Sequence, residues 1–191
     1  MRKLVVTEFV SLDGVMEDPG GAEGYEHGGW SFPFTTPDSM QFKLDEVMEA
    51  GALLLGRVTY EGFAKAWPTI EDDVGFADRM NGLPKYVVST TLTSADWSNS
   101  TIISGDVPDE VAKLKAADGG NILVAGSQRL VRTLLEAELV DELRLMVSPV
   151  ILGTGKRVFD GVSGKKVLEL VESTPTATGN LILTYRPAAS S

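Results

Sequence analysis

The fold is decided by the stretch Ala52–Tyr60, whose sequence is ALLLGRVTY. Four apolar residues that end at a glycine are typical of a buried strand. The segment 58–66 that follows contains no helix breaker except Gly62, and it predicts a short helix. Gly56 and Arg57 therefore stand where a central strand ends and a helix begins, which is where α/β sheets bind ligands. A glycine lets the backbone approach a phosphate, and an arginine offers it a forked donor. An ordinary strand-to-helix turn with a surface arginine explains the same residues.

Strand and helix patterns alternate along most of the remaining chain. The predicted strands span residues 4–10, 52–55, 85–89, 101–104, 121–125, 142–150, 166–172 and 180–185. The predicted helices span residues 37–49, 58–66, 109–117 and 127–137. This alternation predicts an α/β fold with a mainly parallel sheet of about eight strands and helices on both faces. The last two strands have no helix between them and should be antiparallel additions. We expect a single domain over residues 1–187, with 188–191 as a disordered tail.

Composition excludes several classes of function. The net charge is −10, from 27 acidic and 17 basic side chains, which argues against nucleic-acid binding but leaves a small anionic ligand open. No 18-residue apolar run is present, and Glu8 and Asp13 interrupt the first apolar stretch, so we expect a cytoplasmic protein with no membrane partner. With no cysteine and one histidine, His27, we expect no disulfide, thiol nucleophile or metal site.

Turns rich in glycine and hydroxyl residues follow three of the predicted parallel strands. Because the carboxyl ends of parallel strands meet at one edge of the sheet, these turns should converge, and their donors suit a ligand with several phosphates such as a dinucleotide. Three unrelated helix caps are the alternative. No Gly-x-Gly-x-x-Gly or P-loop pattern is present, which disfavours a Rossmann fold and a P-loop. The turns contain Gly56, Arg57 and Thr59; Ser89 and Thr90; and Gly126, Ser127, Gln128 and Arg129.

Two further segments are candidates for substrate contact. Asp13 follows the first strand, where it either forms a tight turn with Gly14 or hydrogen-bonds a substrate amide. The loop 18–35 holds five glycines interleaved with aromatic residues, including Trp30 and Phe32. It is either a mobile lid over a flat ring or a surface loop that these two aromatic side chains pin to the core.

Together these segments resemble the dihydrofolate reductase-like superfamily, and most closely its branch related to the C-terminal reductase domain of bacterial riboflavin biosynthesis proteins. The resemblance covers nearly the whole chain in the right order. The matching elements are SLDG at 11–14, LGRVTYE at 55–61, KYVVS at 85–89, VAGS at 124–127, VDEL at 140–143, PVILGTG at 149–155, and Phe159. It implies a three-layer fold of the dihydrofolate reductase type and an NADPH-dependent reductase.

The resemblance also implies roles for individual residues. Gly56, Arg57 and Thr59 would contact the pyrophosphate and adenosine side of NADPH, Ser89 and Thr90 would lie near the adenosine ribose phosphate, and Gly126, Ser127 and Gln128 would cradle the pyrophosphate. Arg129 would lie near the ribose 2′-phosphate and favour NADP over NAD. The turn that contains Leu152, Gly153 and Thr154 would border the site. Trp30 and Phe32 are expected to line the substrate side from the pattern of their own loop, which departs from the compact loop of that branch.

Two carboxylates compete for the role of catalytic or substrate-orienting acid. Asp38 stands four residues before Phe42-Lys43, as the carboxylate of dihydrofolate reductases does, but the spacing from that pair to Gly56 is two residues longer. A favourable charge at a helix start explains Asp38 equally well. Asp13, within the riboflavin-type Ser-x-Asp-Gly element, is the other candidate.

The function implied by the resemblance is hydride transfer from NADPH to a pyrimidine- or pteridine-like substrate, as in 5-amino-6-(5-phosphoribosylamino)uracil reductase. The alternatives are a non-catalytic nucleotide- or flavin-binding protein and a dihydrofolate reductase proper. The chain has no cysteines for an accompanying zinc deaminase domain. The resemblance also implies a homodimer, and the apolar strand 143–150 suits either a core or an interface.

Overall fold

The computed structural model describes residues 1–189. The strands are β1 (Leu4–Ser11), β2 (Ala50–Gly56), β3 (Lys85–Val88), β4 (Ser100–Ile103), β5 (Asn121–Ala125), β6 (Glu142–Ser148), β7 (Leu168–Pro175) and β8 (Leu181–Pro187). The helices are α1 (Pro37–Glu49), α2 (Arg57–Ala66), α3 (Phe76–Gly82), α4 (Val107–Ala116) and α5 (Gln128–Glu136). Short 3-10 turns occur at Phe32–Phe34 and Trp67–Thr69.

The eight strands form one sheet in the order β4-β3-β2-β5-β1-β6-β8-β7. Neighbours from β4 to β6 are parallel. β8 runs antiparallel to β6, and β7 runs antiparallel to β8. The predicted mainly parallel mixed sheet is therefore confirmed. All the parallel strands end at one edge, which we call the carboxyl edge.

Helices cover both faces of this sheet because the strands are apolar on both sides. On one face, Val111 of α4 and Leu134 of α5 pack with Val6 of β1. On the other face, Val47 of α1 and Tyr60 of α2 pack with strand residues that point the opposite way, and Met80 of α3 joins them. The result is the three-layer arrangement that the alternation of strands and helices predicts.

The prediction of four helices is wrong by one, since residues 1–189 contain five α-helices. The helix missed is α3, a seven-residue segment whose first amides, those of Phe76 and Ala77, are accepted by the side chain of Asp72. This helix is too short to show a clear apolar periodicity. At the other end of the chain, the Ala188 amide donates to the Val167 carbonyl at 3.0 Å. Of the predicted tail, Ser190 and Ser191 lie outside the described residues.

Candidate functional site

The three predicted turns follow β2, β3 and β5, which are neighbours in the sheet. Gly56, Ser89 and Gly126 therefore lie side by side at the carboxyl edge, on three adjacent strand ends. Convergence of these turns is what the sequence predicts, and the sheet order places the Gly56 turn between the other two.

Ser127 joins the turns after β2 and β5. Its hydroxyl accepts the Gly56 amide at 2.8 Å and donates to the Thr59 hydroxyl at 3.0 Å. Gly126 and Ser127 both have left-handed backbones, with φ of +59° and +66°. A Cβ at Gly126 would lie 2.8 Å from the Thr59 hydroxyl oxygen, so only glycine fits there without a shift. The two turns thus form one tightly packed unit.

Neither helix that starts in this unit is capped by a side chain at its N-cap residue. Gly56 precedes α2 and has no side chain, and Ser127 precedes α5 but makes no side-chain capping hydrogen bond. The first amides of an α-helix have no partner within the helix, and they carry the positive end of its dipole. Two neighbouring helix starts with these properties form a surface that favours an anion.

The remaining predicted cofactor residues surround this unit. Arg57 pairs with Glu61 at 3.0 Å across one turn of α2, and both side chains are partly exposed. Arg129 is exposed, whereas the side-chain amide of Gln128 donates to the Asp160 carbonyl at 2.7 Å. The guanidinium groups therefore lie at the rim of the unit, while the Gln128 side chain is used within the protein.

The Ser89 turn is satisfied internally. The buried Ser89 hydroxyl accepts the amides of Thr91 at 3.2 Å and Leu92 at 2.9 Å, so it shapes its own turn. Thr90 is exposed beside it. Of this predicted pair, Thr90 is the residue whose side chain faces outward.

Asp13 connects the loop after β1 to the turn at 152–155. Its carboxylate accepts the Ser11 hydroxyl at 2.7 Å and the amides of Leu152 at 3.1 Å and Gly153 at 2.9 Å. These hydrogen bonds, that of Ser11 first, lower the pKa of Asp13 to about 2. Arg157 adds a bond from Nε to the Asp13 carbonyl at 3.0 Å. The geometry makes Asp13 an ionised anchor for the turn that contains Leu152, Gly153 and Thr154.

Asp38 lies elsewhere, in the first turn of α1. It lines a cavity of about 270 Å³ between α1 and the β7–β8 pair. The cavity is lined by Asp38, Gln41, Phe42, Asp45, Glu172, Thr174, Ile182 and Thr184. Asp13 is not part of this lining, so the two candidate acids belong to different parts of the carboxyl edge.

The loop 18–35 is built around Asp18. This buried residue has a left-handed backbone, with φ of +47°, and its carboxylate accepts the amides of Ala22, Glu23 and Tyr25 at 2.7 to 3.2 Å. A Cβ at Gly28 would lie 2.4 Å from a carboxylate oxygen of Asp18, which explains one of the five glycines. The loop is therefore wrapped around a buried carboxylate.

Contacts at three points fasten this loop to the domain. The indole of Trp30 is buried and donates to the Glu17 carbonyl at 2.8 Å. The Tyr25 hydroxyl donates to the Thr154 carbonyl at 2.8 Å, and Asn180 donates to the Phe34 carbonyl at 2.9 Å. Phe32, in contrast, is 64% exposed. Of the two aromatic residues predicted to line the substrate side, Trp30 is pinned to the core and Phe32 faces outward.

Sequence reasoning missed a buried carboxylate beside the Gly126 turn. Glu8 in the middle of β1 is 4% exposed, and its Oε2 accepts the Gly126 amide at 3.1 Å. Burial raises the pKa of Glu8 well above its usual value of 4.5. The signal was present, because a glutamate inside a strand that is apolar on both sides must be buried.

Sequence reasoning also missed a network of charged side chains on the face of the sheet opposite to Glu8. Lys43 of α1 contacts the Glu46 carboxylate and the Thr7 hydroxyl, each at 2.6 Å. Arg144 of β6 approaches the same carboxylate at 3.5 Å. This network holds α1 against β1 and β6.

A wider groove of about 790 Å³ lies between α2, α3 and the segment 92–98, and it contains none of the predicted site residues. Among residues 1–189, no helix is long and apolar enough to cross a membrane. The same residues hold no cluster of three or more potential metal ligands.

Comparison with known proteins gives one family. The family model described as the RibD C-terminal domain matches residues 2–182. The uncharacterized protein YyaP of Bacillus subtilis (strain 168) is 28% identical over 187 residues, which cover 96% of this chain and 94% of that protein. The uncharacterized protein YwjB of the same organism is 28% identical over 176 residues, covering 88% of this chain and 89% of that protein.

Solved structures share the fold. A putative riboflavin biosynthesis protein from Shewanella sp. PV-4 superposes with a TM-score of 0.77 at 21% identity, covering 97% of this chain and 99% of that chain. A pyrimidine reductase-like protein from Corynebacterium diphtheriae gives a TM-score of 0.66 at 13% identity, with coverage of 99% and 93%. A diaminohydroxyphosphoribosylaminopyrimidine deaminase/5-amino-6-(5-phosphoribosylamino)uracil reductase from Thermotoga maritima gives 0.65 at 18% identity, and the match covers 98% of this chain but 57% of that one.

Proposed function

We propose that this chain, which belongs to the RibD C-terminal domain family, is an NADPH-dependent reductase of a small heterocyclic substrate. One observation carries the proposal. The helices α2 and α5 start without side-chain caps on the neighbouring strands β2 and β5, and Ser127 ties the two starts together. An anionic ligand would supply the partners that these helix starts lack.

The residues at the carboxyl edge fit a dinucleotide. Its pyrophosphate would bind the amides around Gly56 and the Gly126 turn, where the left-handed backbone and the absent side chains leave room for close approach. The exposed guanidinium groups of Arg57 and Arg129 at the rim suit a further phosphate on the ribose, which distinguishes NADPH from NADH. Thr90 would lie on the adenosine side.

Bound NADPH supplies the hydride, and the protein supplies binding, orientation and exclusion of water. The acceptor would lie toward α1 and the 152–154 turn, with Phe32 at its outer side. Between the two acids, Asp38 is the better candidate for contact with the acceptor, since it lines a cavity and its carboxylate has no hydrogen bond or ion pair among residues 1–189. The carboxylate of Asp13 is already occupied by a hydroxyl and two amides of the protein itself.

The test compares the binding of NADPH and NADH in Arg57→Ala and Arg129→Ala. Each substitution should weaken NADPH more than NADH, because only NADPH carries the 2′-phosphate. Arg186→Ala is the matched control, since Arg186 is exposed and, like Arg57, paired with a carboxylate, but lies at the end of β8. If both site variants lost affinity for NADPH and NADH equally, these arginines would have no role in recognising the 2′-phosphate.

Turnover separates a reductase from a nucleotide-binding protein. We expect NADPH oxidation with at least one reducible pyrimidine or pteridine, and a lower kcat in Asp38→Asn with NADPH affinity retained. Tight NADPH binding without oxidation of any such compound would instead favour the non-catalytic alternative. Dihydrofolate belongs in the same panel, because activity on it would indicate a dihydrofolate reductase.

A further inference from the structure

Glu8 occupies the point where two central strands part. β1 and β5 pair only as far as Thr7 and Ala125, whereas β1 continues beside β6 to Ser11. The Glu8 carboxyl spans the gap that opens there, because its Oε2 accepts the amide of Gly126, the first residue after β5. It therefore lies directly behind the turn that starts α5.

The other carboxyl oxygen of Glu8 has no partner. Oε1 is buried and makes no hydrogen bond within the described part of the chain. A carboxylate that is buried with one amide as its sole donor costs far more free energy than a neutral carboxylic acid in the same place. Burial accordingly raises the pKa of this group well above 4.5.

The charged groups around Glu8 do not offset this burial. Lys43 and Glu46 of α1 act from the opposite face of the sheet, where they are paired at 2.6 Å, and their opposite charges shift the pKa of Glu8 in opposite directions. On β6 the neighbour of Glu8 is the apolar Leu145. From the loop after β6, Arg157 is bound to Asp13. The turn between β5 and α5 contributes the amide of Gly126, and the first turn of α5 contributes the exposed Arg129.

We propose that Glu8 is a proton-linked positioning residue of the dinucleotide site, which holds the Gly126 turn as a neutral acid while a phosphate-bearing ligand is bound. An ionised Glu8 would place a negative charge behind the amides that receive the phosphates, and like charges repel strongly where water is excluded. Binding of the ligand and retention of one proton by Glu8 therefore favour each other. The inference rests on the proposed function and adds a pH dependence to it.

The test uses NADP⁺ binding measured by calorimetry over a range of pH, in buffers of different ionisation enthalpy, for the wild type, Glu8→Gln and Glu71→Gln. Glu8→Gln retains the shape and the neutral state. Glu71 is exposed, so Glu71→Gln controls for the loss of one charge. Above the titration range of Glu8, the wild type and the control should lose affinity about tenfold per pH unit relative to Glu8→Gln, and should take up one more proton on binding. The titration of the ligand's own phosphate is common to all three proteins.

A carbon-13 titration of the wild type tests the inference without the variant. If Glu8→Gln does not fold, carbon-13 spectra of labelled glutamate carboxyls in the wild type should show one group that titrates above the usual range and moves higher when NADP⁺ is added. An unchanged midpoint, or the same pH dependence and proton count in Glu8→Gln as in the wild type, overturns the inference and leaves the proposed function intact. Failure of NADP⁺ and NADPH to bind at any pH overturns both.

Discussion

The two halves of the carboxyl edge differ in which groups accept hydrogen bonds from their backbone amides. Around the loop after β1, the protein's own side chains do so: Asp13 accepts two amides of the 152–155 turn and Asp18 accepts three in its own loop. Thr36 and Ser39 form a complete capping box at the start of α1. At the ends of β2 and β5, the N-cap residues of α2 and α5 provide no side-chain cap.

This difference indicates which half suits an anion. A helix whose first amides are already accepted by a capping side chain offers those amides to no phosphate, and a capping carboxylate also repels it. A helix start without such a partner is stabilised when an anion binds. This difference supports the proposal that the turns at Gly56 and Gly126 bind the phosphates, whereas Asp13 and Asp18 hold loops of the protein itself.

Gly126→Ala should disrupt the joined turns after β2 and β5, and we expect it to have the largest effect on NADPH binding. The new Cβ would lie 2.8 Å from the Thr59 hydroxyl at a left-handed backbone position, so the turn must shift. Strain of this kind costs about 1–3 kcal/mol. We expect NADPH affinity to fall by about tenfold to a hundredfold in a binding titration, where each tenfold corresponds to about 1.4 kcal/mol.

Gly62→Ala is the matched control for this change. Gly62 lies inside α2, and a Cβ there meets no atom within 4 Å. Alanine should stabilise the helix by about 1 kcal/mol and leave NADPH affinity unchanged. Equal effects of the two alanines on binding would contradict the assignment of the phosphate site to the Gly126 turn.

Asp13→Asn tests the other half of the carboxyl edge, where the protein's own side chains accept the backbone amides. The amide side chain cannot accept both backbone N–H groups and the Ser11 hydroxyl as the carboxylate does, so we expect a loss of about 1–2 kcal/mol of unfolding free energy at neutral pH. The pKa of Asp13 is lowered from 3.8 to about 2 in the folded state, so its contribution is full above 3.8 and disappears as the pH falls through about 2. Denaturant unfolding of the two proteins should therefore converge in acid.

The same substitution separates a structural role of Asp13 from a role in cofactor binding. Asp118 is exposed, so Asp118→Asn is the control for the loss of one surface charge at neutral pH. If Asp13 only holds the 152–155 turn, Asp13→Asn should lower stability while NADPH affinity stays within about twofold of the wild type, since a shift of a few tenths of a kcal/mol corresponds to such a factor. A gap in stability that persists unchanged into acid would contradict the ionised anchor.

Local signals in the sequence predicted much of the fold. Thr36 followed by Pro37 marks the start of α1, and the structure begins that helix at Pro37 with Thr36 as its cap. Apolar runs that end in Gly56 and Gly126 mark two central strands, and both glycines lie at strand ends on the carboxyl edge. Caps, prolines and glycines act on their immediate neighbours, so their effects can be read without tertiary information.

The parts of the site that depend on register could not be predicted in this way. The Ser127 hydroxyl meets Gly56 across 71 residues of chain, and Asp13 meets Gly153 across 140. Such contacts depend on which strands are neighbours, and composition and spacing do not determine that order. Glu8 was detectable as a buried acid, but its contact with Gly126 required the β1–β5 register.

Thr36→Ala, at the capped start of α1, is the substitution for which we expect the smallest effect. It removes the hydroxyl that accepts the Ser39 amide at 3.2 Å, and loss of such a cap costs about 1 kcal/mol. Because the start of α1 is satisfied within the protein and no phosphate is assigned to it, stability should fall while NADPH affinity stays unchanged.

Ser127→Ala is the counterpart at α5, where the hydroxyl joins two turns rather than capping its own helix. It should weaken NADPH binding by more than the fall in melting temperature would suggest, because the two uncapped helix starts lose their alignment. If the two variants lost NADPH affinity equally, the distinction between capped and uncapped helix starts would have no bearing on where the dinucleotide binds.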